Sequence, residues 1–164
     1  MNEDRTTLKL RTYMKICHQL ATLSHDCKYS VASIAITDDF REICAIGYNG
    51  DYVGGPNERT NFEHGQSLFL HSEENLLLHL NKNYELRRNL ILMCTHKPCT
   101  MCAKRIAGSG INRVIYDAEY HDIHNQTDEI FTNSGVWCVQ LDELMSLDYP
   151  RIGTFLNLKD RPKR

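Results

Sequence analysis

The strongest constraint on this chain comes from two short motifs, H-S-E at 71–73 and P-C-T-M-C at 98–102. The first motif begins an apolar run, 74–80, that is typical of a buried helix. The second follows a strand-like apolar run, 90–95, and begins another helix at 103–107. Both motifs are therefore predicted to lie at helix N-termini, where unpaired backbone N–H groups carry partial positive charge.

The residue types in these motifs indicate a metal site. Cys99 and Cys102 are three residues apart, so they fall on one face of a helix and can bind one ion together. His71 adds a nitrogen ligand, and three protein ligands leave the fourth position of a zinc ion to water, as in catalytic zinc sites. Glu73 is predicted to lie beside that water and to move protons. The alternatives are a structural zinc, which needs a fourth protein ligand, and a redox C-x-x-C, which does not call for H-x-E.

Composition narrows the class of protein. The chain has 164 residues, 41% hydrophobic and 24% charged, which predicts one soluble domain with a core over about 7–140 and a C-terminal tail, 141–164. No apolar run approaches a membrane span and no signal peptide is apparent, so we expect a cytoplasmic protein, or one of the host cytoplasm if the source is a virus. Seven cysteines suit a reducing compartment. A net charge of −2 argues against a nucleic acid polymer as partner.

Hydrophobic periodicity predicts the other elements, which are a helix at 7–23, strands at 31–36 and 42–47, a strand at 112–116, a helix at 127–133 and a strand at 136–140. The first two strands form a hairpin. A glycine-rich segment, 48–70, shows little periodicity, as functional or mobile loops do. Because a helix joins the last two strands, they are predicted to be parallel, within a mixed five-stranded sheet that has helices on both faces. A short helix around 144–147 is a further possibility.

The order of these elements resembles the cytidine deaminase superfamily, and four motifs resemble its deoxycytidylate (dCMP) deaminases. They are G-Y-N-G at 47–50, H-S-E-E-N at 71–75 in place of H-A-E-x-N, G-S-G-I at 108–111 and Y-H-D at 120–122. H-x-E followed by P-C-x-x-C is itself the signature of zinc-dependent base deaminases. The resemblance implies an α/β protein with the three-layer α/β/α cytidine-deaminase-like fold.

The resemblance also implies an activity, the zinc-dependent hydrolysis of dCMP to dUMP and ammonia in pyrimidine nucleotide metabolism. One catalytic Zn²⁺ would be bound by His71, Cys99 and Cys102, with Glu73 as the proton carrier. Two other readings stay open: a deaminase of cytidine, dCTP or a modified dCMP, and a non-catalytic nucleotide-binding zinc module. Family members are homo-oligomers, often hexamers, with dCTP and dTTP as effectors, so the same is expected here.

Substrate contacts follow from the same resemblance. Asn49 would bind the sugar hydroxyl, and the backbone at Ser72 and Pro98 would read the cytosine edge. Ser24 and Tyr120 are predicted to flank the base or to bind the 5′ phosphate.

The segment 51–70 departs from the family pattern, because it lacks the cysteine that some members use in a second, structural zinc site. His64 lies there without an evident set of partners, so one zinc per chain is predicted. V-A-S at 31–33 also stands where V-G-A is common. Arg59, in the same loop, is a further phosphate candidate because its guanidinium fork suits that group.

Overall fold

The computed structural model describes residues 5–80, 87, 89–147 and 149–156. The helices in this part of the chain are α1 (Arg5–Ala21), α2 (Ser72–His79), α3 (Thr100–Ser109), α4 (Thr127–Ser134), α5 (Leu141–Ser146) and α6 (Tyr149–Leu156). The strands are β1 (Ala32–Thr37), β2 (Ile43–Tyr48), β3 (Leu90–His96), β4 (Arg113–Ala118) and β5 (Trp137–Gln140). Each element predicted from periodicity is present close to its predicted bounds. None of the helices in these ranges is long and apolar enough to cross a membrane.

The sheet has five strands in the order β2-β1-β3-β4-β5. β1 pairs antiparallel with both β2 and β3, whereas the β3–β4 and β4–β5 pairs are parallel. The predicted mixed sheet and the parallel pairing of the last two strands are confirmed. α3 connects β3 to β4 in the same way as α4 connects β4 to β5. The second motif therefore lies at the carboxyl end of β3, a common place for ligand sites in α/β sheets.

Alternate side chains of the central strands enter two separate cores, because successive residues of a strand point to opposite faces. Ile34 and Met93 belong to a core that α1, α5 and α6 cover, here called the α1 face. Ala35 and Leu92 belong to a core that α2, α3 and α4 cover, here called the α3 face. The prediction of helices on both faces of the sheet is confirmed.

The core of the α1 face continues beyond residue 140, where the periodicity placed its end. Leu141 and Leu144 in α5, and Ile152 and Phe155 in α6, are buried in it. The sequence signal is weak here because helices of six and eight residues are too short for a clear apolar period. The rest of the predicted tail, 157–164, lies outside the described residues.

A buried arginine ties α6 to the sheet. Arg113, at the start of β4, forms an ion pair with Asp38 at 3.3 Å and donates a hydrogen bond to the carbonyl oxygen of Leu156. Its side chain is only 2% exposed. A buried guanidinium needs such acceptors, because a buried charge without partners is strongly unfavourable.

α2 packs directly on β2 because Gly47 has no side chain. A Cβ atom at Gly47 would lie 2.0 Å from the carbonyl oxygen of Ser72 and 2.6 Å from the amide nitrogen of Leu76. The amide of Asn75 adds a hydrogen bond to the carbonyl oxygen of Tyr48, at 3.1 Å. The helix that begins with the first motif is thus held against the hairpin with little room for adjustment.

Candidate active site

The two motifs meet where α2 and α3 begin. His71 is the N-cap residue of α2, and Cys99 is the N-cap residue of α3. His71 Nδ1 lies 3.5 Å from Cys99 Sγ and 3.5 Å from Cys102 Sγ. Among the described residues, these three form the one group of histidine, cysteine or carboxylate ligands close enough together to hold an ion.

The distances fit a tetrahedral zinc ion. Zinc binds imidazole nitrogen at about 2.0–2.1 Å and thiolate sulfur at about 2.3 Å, so adjacent nitrogen and sulfur ligands of a tetrahedral site lie about 3.5 Å apart. The two observed nitrogen–sulfur distances of 3.5 Å match that value. Three protein ligands are the number found in catalytic zinc sites, which keep the fourth position for water or substrate.

The pKa values of the three donor side chains depend on the contacts among them. Hydrogen bonds from Cys102 and His71 lower the pKa of the Cys99 thiol to about 4. The hydrogen bond to Cys99 raises the pKa of His71 to about 9. The contact with Cys99, together with burial, raises the pKa of Cys102 well above its usual value. A zinc ion would take the place of the shared protons, because thiols that bind zinc are deprotonated.

Glu73 is a buried carboxylate in the first turn of α2, and its side chain borders the same cavity as His71 and Cys99. It is 4% exposed, and its Oε2 accepts a hydrogen bond from Ser72 Oγ at 2.9 Å. Burial raises the pKa of its carboxyl group. A carboxylate in this position can accept a proton from a ligand in the cavity and return it.

Two acidic side chains hold the helix starts in place. Glu74 accepts a hydrogen bond from the backbone N–H of His71 at 3.2 Å and pairs with Arg105 at 3.0 Å. Asp122, from the Y-H-D motif, accepts hydrogen bonds from the backbone N–H and the hydroxyl of Thr100 at the start of α3. Partial burial opposes ionisation of Asp122, but these hydrogen bonds lower its pKa overall.

Asn49 connects the hairpin to the first motif. Its Oδ1 accepts a hydrogen bond from the backbone N–H of Ser72 at 2.9 Å, and its Nδ2 donates one to the carbonyl oxygen of Tyr29 at 3.0 Å. Asn49 also lines the cavity. Its role at the sugar hydroxyl stays a prediction, while its contacts show a structural role that the motif alone did not reveal.

The cavity brings together residues from distant parts of the chain. Besides His71, Glu73, Cys99 and Asn49, its lining includes Asp26, Tyr29, Val31, Arg59, His96, Lys97 and Tyr120. Two of the residues predicted for the base or the phosphate, Arg59 and Tyr120, are therefore beside the metal donors.

The other three residues predicted to contact the substrate, Ser24, Ser72 and Pro98, do not line this cavity. Ser24 Oγ donates a hydrogen bond to the carbonyl oxygen of Asn49 at 3.4 Å and accepts one from the backbone N–H of Asp26 at 3.1 Å. Ser24 thus closes a turn, and Asp26 faces the cavity instead. Pro98 is buried, and its carbonyl oxygen accepts a hydrogen bond from Thr127 Oγ1 at 3.0 Å. The role of the backbone at Ser72 and Pro98 in reading the base stays a prediction.

Tyr29 was missed by the sequence reasoning. Its ring packs edge-on against Tyr120, with 5.8 Å between ring centroids. Its hydroxyl is hydrogen-bonded to His64 Nδ1 at 3.2 Å, and His64 Nε2 donates to the carbonyl oxygen of His121 at 2.6 Å. His64 is therefore part of an aromatic wall at the cavity. Tyr29 lies in an aperiodic connection, so no local pattern marked it.

Together, the donor set and the fold define a class of protein. A histidine and two cysteines at two helix N-termini, with a buried carboxylate beside them, form the site of the zinc-dependent base deaminases. The fold supplies both helix starts from one edge of the mixed sheet.

The family can be stated more narrowly. Residues 8–118 match the model of the cytidine and deoxycytidylate deaminase zinc-binding region. This match covers more than half of the chain, and the chain belongs to that family.

Two individual proteins are similar to this chain in sequence. The ComE operon protein 2 of Bacillus subtilis (strain 168) is 30% identical over 139 residues, which are 81% of this chain and 72% of the relative. The deoxycytidylate deaminase of Saccharomyces cerevisiae is 27% identical over 138 residues, 76% of this chain, which spans only 42% of the yeast enzyme.

A solved structure extends the comparison to the whole fold. The dCMP deaminase of cyanophage S-TIM5, in complex with dCMP and dUMP, is 27% identical and superposes with a TM-score of 0.69. The match covers 85% of this chain and 99% of the cyanophage protein. The predicted cytidine-deaminase-like fold is confirmed.

Proposed function

We propose that this chain is a zinc-dependent hydrolase that converts dCMP to dUMP and ammonia. The observation that carries the proposal is the donor set of His71, Cys99 and Cys102, with nitrogen–sulfur distances of 3.5 Å, beside the buried carboxylate of Glu73. The choice of substrate is supported by the cyanophage relative, whose structure contains dCMP and dUMP.

The metal is proposed to be one zinc ion per chain. A zinc ion in a three-ligand site lowers the pKa of water to about 7, which makes hydroxide available at neutral pH. His64, the histidine of the long loop, bonds to Tyr29 and His121, and it belongs to no metal-binding group among the described residues. These contacts support a single ion.

Glu73 carries the protons of the reaction. It takes a proton from water and delivers it to ring N3 of the cytosine, as oxygen adds to C4. It then takes the remaining proton from the oxygen added at C4 and gives it to the exocyclic amino group, so that the C4–N bond breaks, ammonia leaves and the C4=O bond of uracil forms. Ser72 Oγ, which donates to Glu73 Oε2 at 2.9 Å, orients the carboxylate for both transfers.

The cavity lining suggests where the rest of the nucleotide lies. Tyr29 and Tyr120 are proposed to flank the base, since their rings form one wall. Asn49 has two amide hydrogens and uses one on Tyr29, so the other can reach the sugar hydroxyl. Arg59 is the proposed phosphate contact.

Assembly and regulation are proposed from the family resemblance. The chain is expected to form a homo-oligomer, with a hexamer as the first expectation, and to respond to dCTP and dTTP. Light scattering gives the subunit number. Initial rates with dCMP, with and without each triphosphate, test the regulation, and identical rates in all three conditions would remove the effector proposal.

The substrate proposal is tested by ammonia release from the zinc-loaded chain with dCMP, dCTP, cytidine and deoxycytidine. We expect the highest kcat/KM for dCMP and background release from the Glu73→Gln variant, which keeps the side-chain volume but not the ionisable group. A preference for another compound would favour the broader deaminase reading. No release from any compound, with zinc measured in the protein, would favour a non-catalytic nucleotide-binding module.

A further inference from the structure

One arginine–aspartate pair is buried in the wall of the cavity. Arg59 Nη1 donates to Asp26 Oδ2 at 2.5 Å, and each side chain is 2% exposed. The other oxygen of Asp26 accepts hydrogen bonds from the backbone N–H groups of Lys28, at 2.8 Å, and Tyr29, at 3.2 Å. Asp26 is thus fixed by the backbone, and Arg59 is fixed by Asp26.

The guanidinium of Arg59 still has an unused donor. Its Nε is buried and has no hydrogen-bond partner among the residues that the structure describes. The ring of Phe62 lies 5.6 Å from Cζ, and Arg59 lines the cavity. Buried donors of charged groups are nearly always satisfied, so the free Nε indicates a ligand that brings an acceptor.

The geometry of the donor favours a phosphate oxygen as that acceptor. The planar guanidinium presents its N–H groups as a rigid fork, which matches the spacing of phosphate oxygens. A sugar hydroxyl would satisfy one N–H but would leave the positive charge without a counterpart other than Asp26. A phosphate satisfies the donor and also adds negative charge beside the cation.

A chain of hydrogen bonds links this pair to the reacting end of the cavity. Tyr29 donates its backbone N–H to Asp26 and accepts from Asn49 with its carbonyl oxygen. Asn49 accepts from the backbone N–H of Ser72, and Ser72 Oγ donates to Glu73. The position of the guanidinium is therefore fixed relative to the carboxylate that moves protons.

We propose that Asp26 is a positioning residue that holds Arg59 so that its Nε edge binds the 5′ phosphate of the substrate, which selects a nucleoside monophosphate over a nucleoside. This inference rests on the proposed function, because it assigns part of the same site. Asp26 itself does not touch the phosphate and acts through Arg59.

Positioning and simple charge balance predict opposite results at Asp26. If Asp26 only offset the charge of Arg59, its removal would make the site more positive and would strengthen anion binding. If Asp26 positions the guanidinium, its removal lets the fork turn away, and phosphate binding weakens although the net positive charge has increased. The Asp26→Asn variant separates the two.

The test compares ligands that differ only in the phosphate. Calorimetry on the zinc-loaded full chain measures the Kd of dUMP and of deoxyuridine, and inorganic phosphate is tested as a competitor of dCMP. We expect Arg59→Gln to weaken dUMP binding about 10- to 100-fold, the range for a charge-assisted hydrogen bond, and to leave deoxyuridine binding unchanged. Arg59→Lys, which keeps the charge without the fork, should recover part of the loss.

For Asp26→Asn we expect KM for dCMP to rise about tenfold with kcat nearly unchanged, since the reacting end keeps its contacts. The control is Arg41→Gln. It removes an arginine that also pairs with an aspartate, but the Arg41 side chain is 83% exposed and does not line the cavity. It should leave both Kd values unchanged.

Several results would overturn the inference. Equal weakening of dUMP and deoxyuridine by Arg59→Gln would make the pair purely structural, and tighter dUMP binding by Asp26→Asn would make Asp26 a counter-charge. If the variants fail to fold, the ligand comparison on the wild-type protein still tests the phosphate contact. Equal Kd values for dUMP and deoxyuridine would exclude that contact. Glu73-dependent ammonia release from dCMP would leave the proposed function standing in each case.

Discussion

The α1 face and the α3 face of the sheet are built on the same central strands, yet they bury different side chains. The core of the α1 face is apolar, with Leu10, Leu144 and Phe155 each at most 2% exposed. The α3 side of the sheet also has an apolar core, but its helix starts bury Glu73 and Cys102. Buried polar groups reduce stability unless each has a partner, and Glu73 has one in the hydroxyl of Ser72 whereas Cys102 has one in the imidazole of His71.

The two faces also differ in how they affect the pKa of a cysteine. Cys17, fully buried on the α1 face, donates a hydrogen bond to the carbonyl oxygen of Ala32 at 3.1 Å, and burial raises its pKa to about 12. Cys99, at the start of α3, has a pKa of about 4 because it accepts hydrogen bonds from Cys102 and His71. The surroundings decide whether a buried thiol is an inert core group or a metal ligand.

The largest effect is expected from two matched cysteine variants. Cys102→Ser removes one of the three proposed zinc ligands, so bound zinc and ammonia release should both fall to background. Cys17→Ser removes an equally buried thiol from the α1 face and should keep one zinc per chain and the wild-type kcat. Metal analysis and initial rates provide the readouts. Full zinc content in Cys102→Ser would contradict the proposal that the zinc ion binds at the helix starts of the α3 face.

Glu73→Gln should lower kcat about 10²- to 10⁴-fold, the usual contribution of general acid–base catalysis. Zinc content should stay at the wild-type level, because Glu73 is not one of the three donors. The loss is measured by ammonia release from saturating dCMP. Wild-type turnover in this variant would mean that another group moves the protons.

Phe155→Ala tests the opposite expectation on the α1 face. Phe155 is 2% exposed, so its truncation should lower the free energy of unfolding by about 3–5 kcal/mol. The kcat of the folded protein should not change, since no part of the cavity lining belongs to α6. Chemical denaturation gives the stability. A drop in kcat with little loss of stability would contradict the view that the α1 face contributes stability and the α3 face carries the catalytic residues.

The smallest effect is expected from a pair of glycine variants. Gly47→Ala forces α2 away from β2, because its Cβ would lie 2.0 Å from the Ser72 carbonyl oxygen, and should cost about 1–3 kcal/mol of stability with reduced kcat. Gly108→Ala, within α3, has open space at its Cβ and should stabilise the protein by about 0.5–1 kcal/mol. Thermal unfolding compares them, and similar shifts in Tm would refute the close packing at Gly47.

The clustering of His71, Cys99 and Cys102 could be predicted from the sequence because each motif is local. Cys99 and Cys102 are one helical turn apart, and His71 lies directly before an apolar helix, so spacing alone indicated a shared ion. The strands and their parallel pairing were also predictable, since alternation and the connecting helix are regular patterns.

The pair of Asp26 and Arg59 could not be predicted in the same way. The two residues are 33 positions apart, and both lie in segments without a regular period. Their contact depends on how the connection between α1 and β1 and the long loop after β2 fold over the cavity, which is a tertiary property. Arg59 could be suggested for its chemistry, but its partner required the fold.

Arg113 connects the part of the chain that matches the family to the segment that follows it. The match to the family covers residues 8–118, whereas the guanidinium of Arg113 relies on the carbonyl oxygen of Leu156 as an acceptor. A protein trimmed to residues 8–118 would keep the ion pair of Arg113 with Asp38 but would lose the Leu156 acceptor, together with α5 and α6, which cover the α1 face. We therefore expect a protein that ends at residue 118 to be less stable than one that extends through residue 156, because it lacks the buried side chains of α5 and α6.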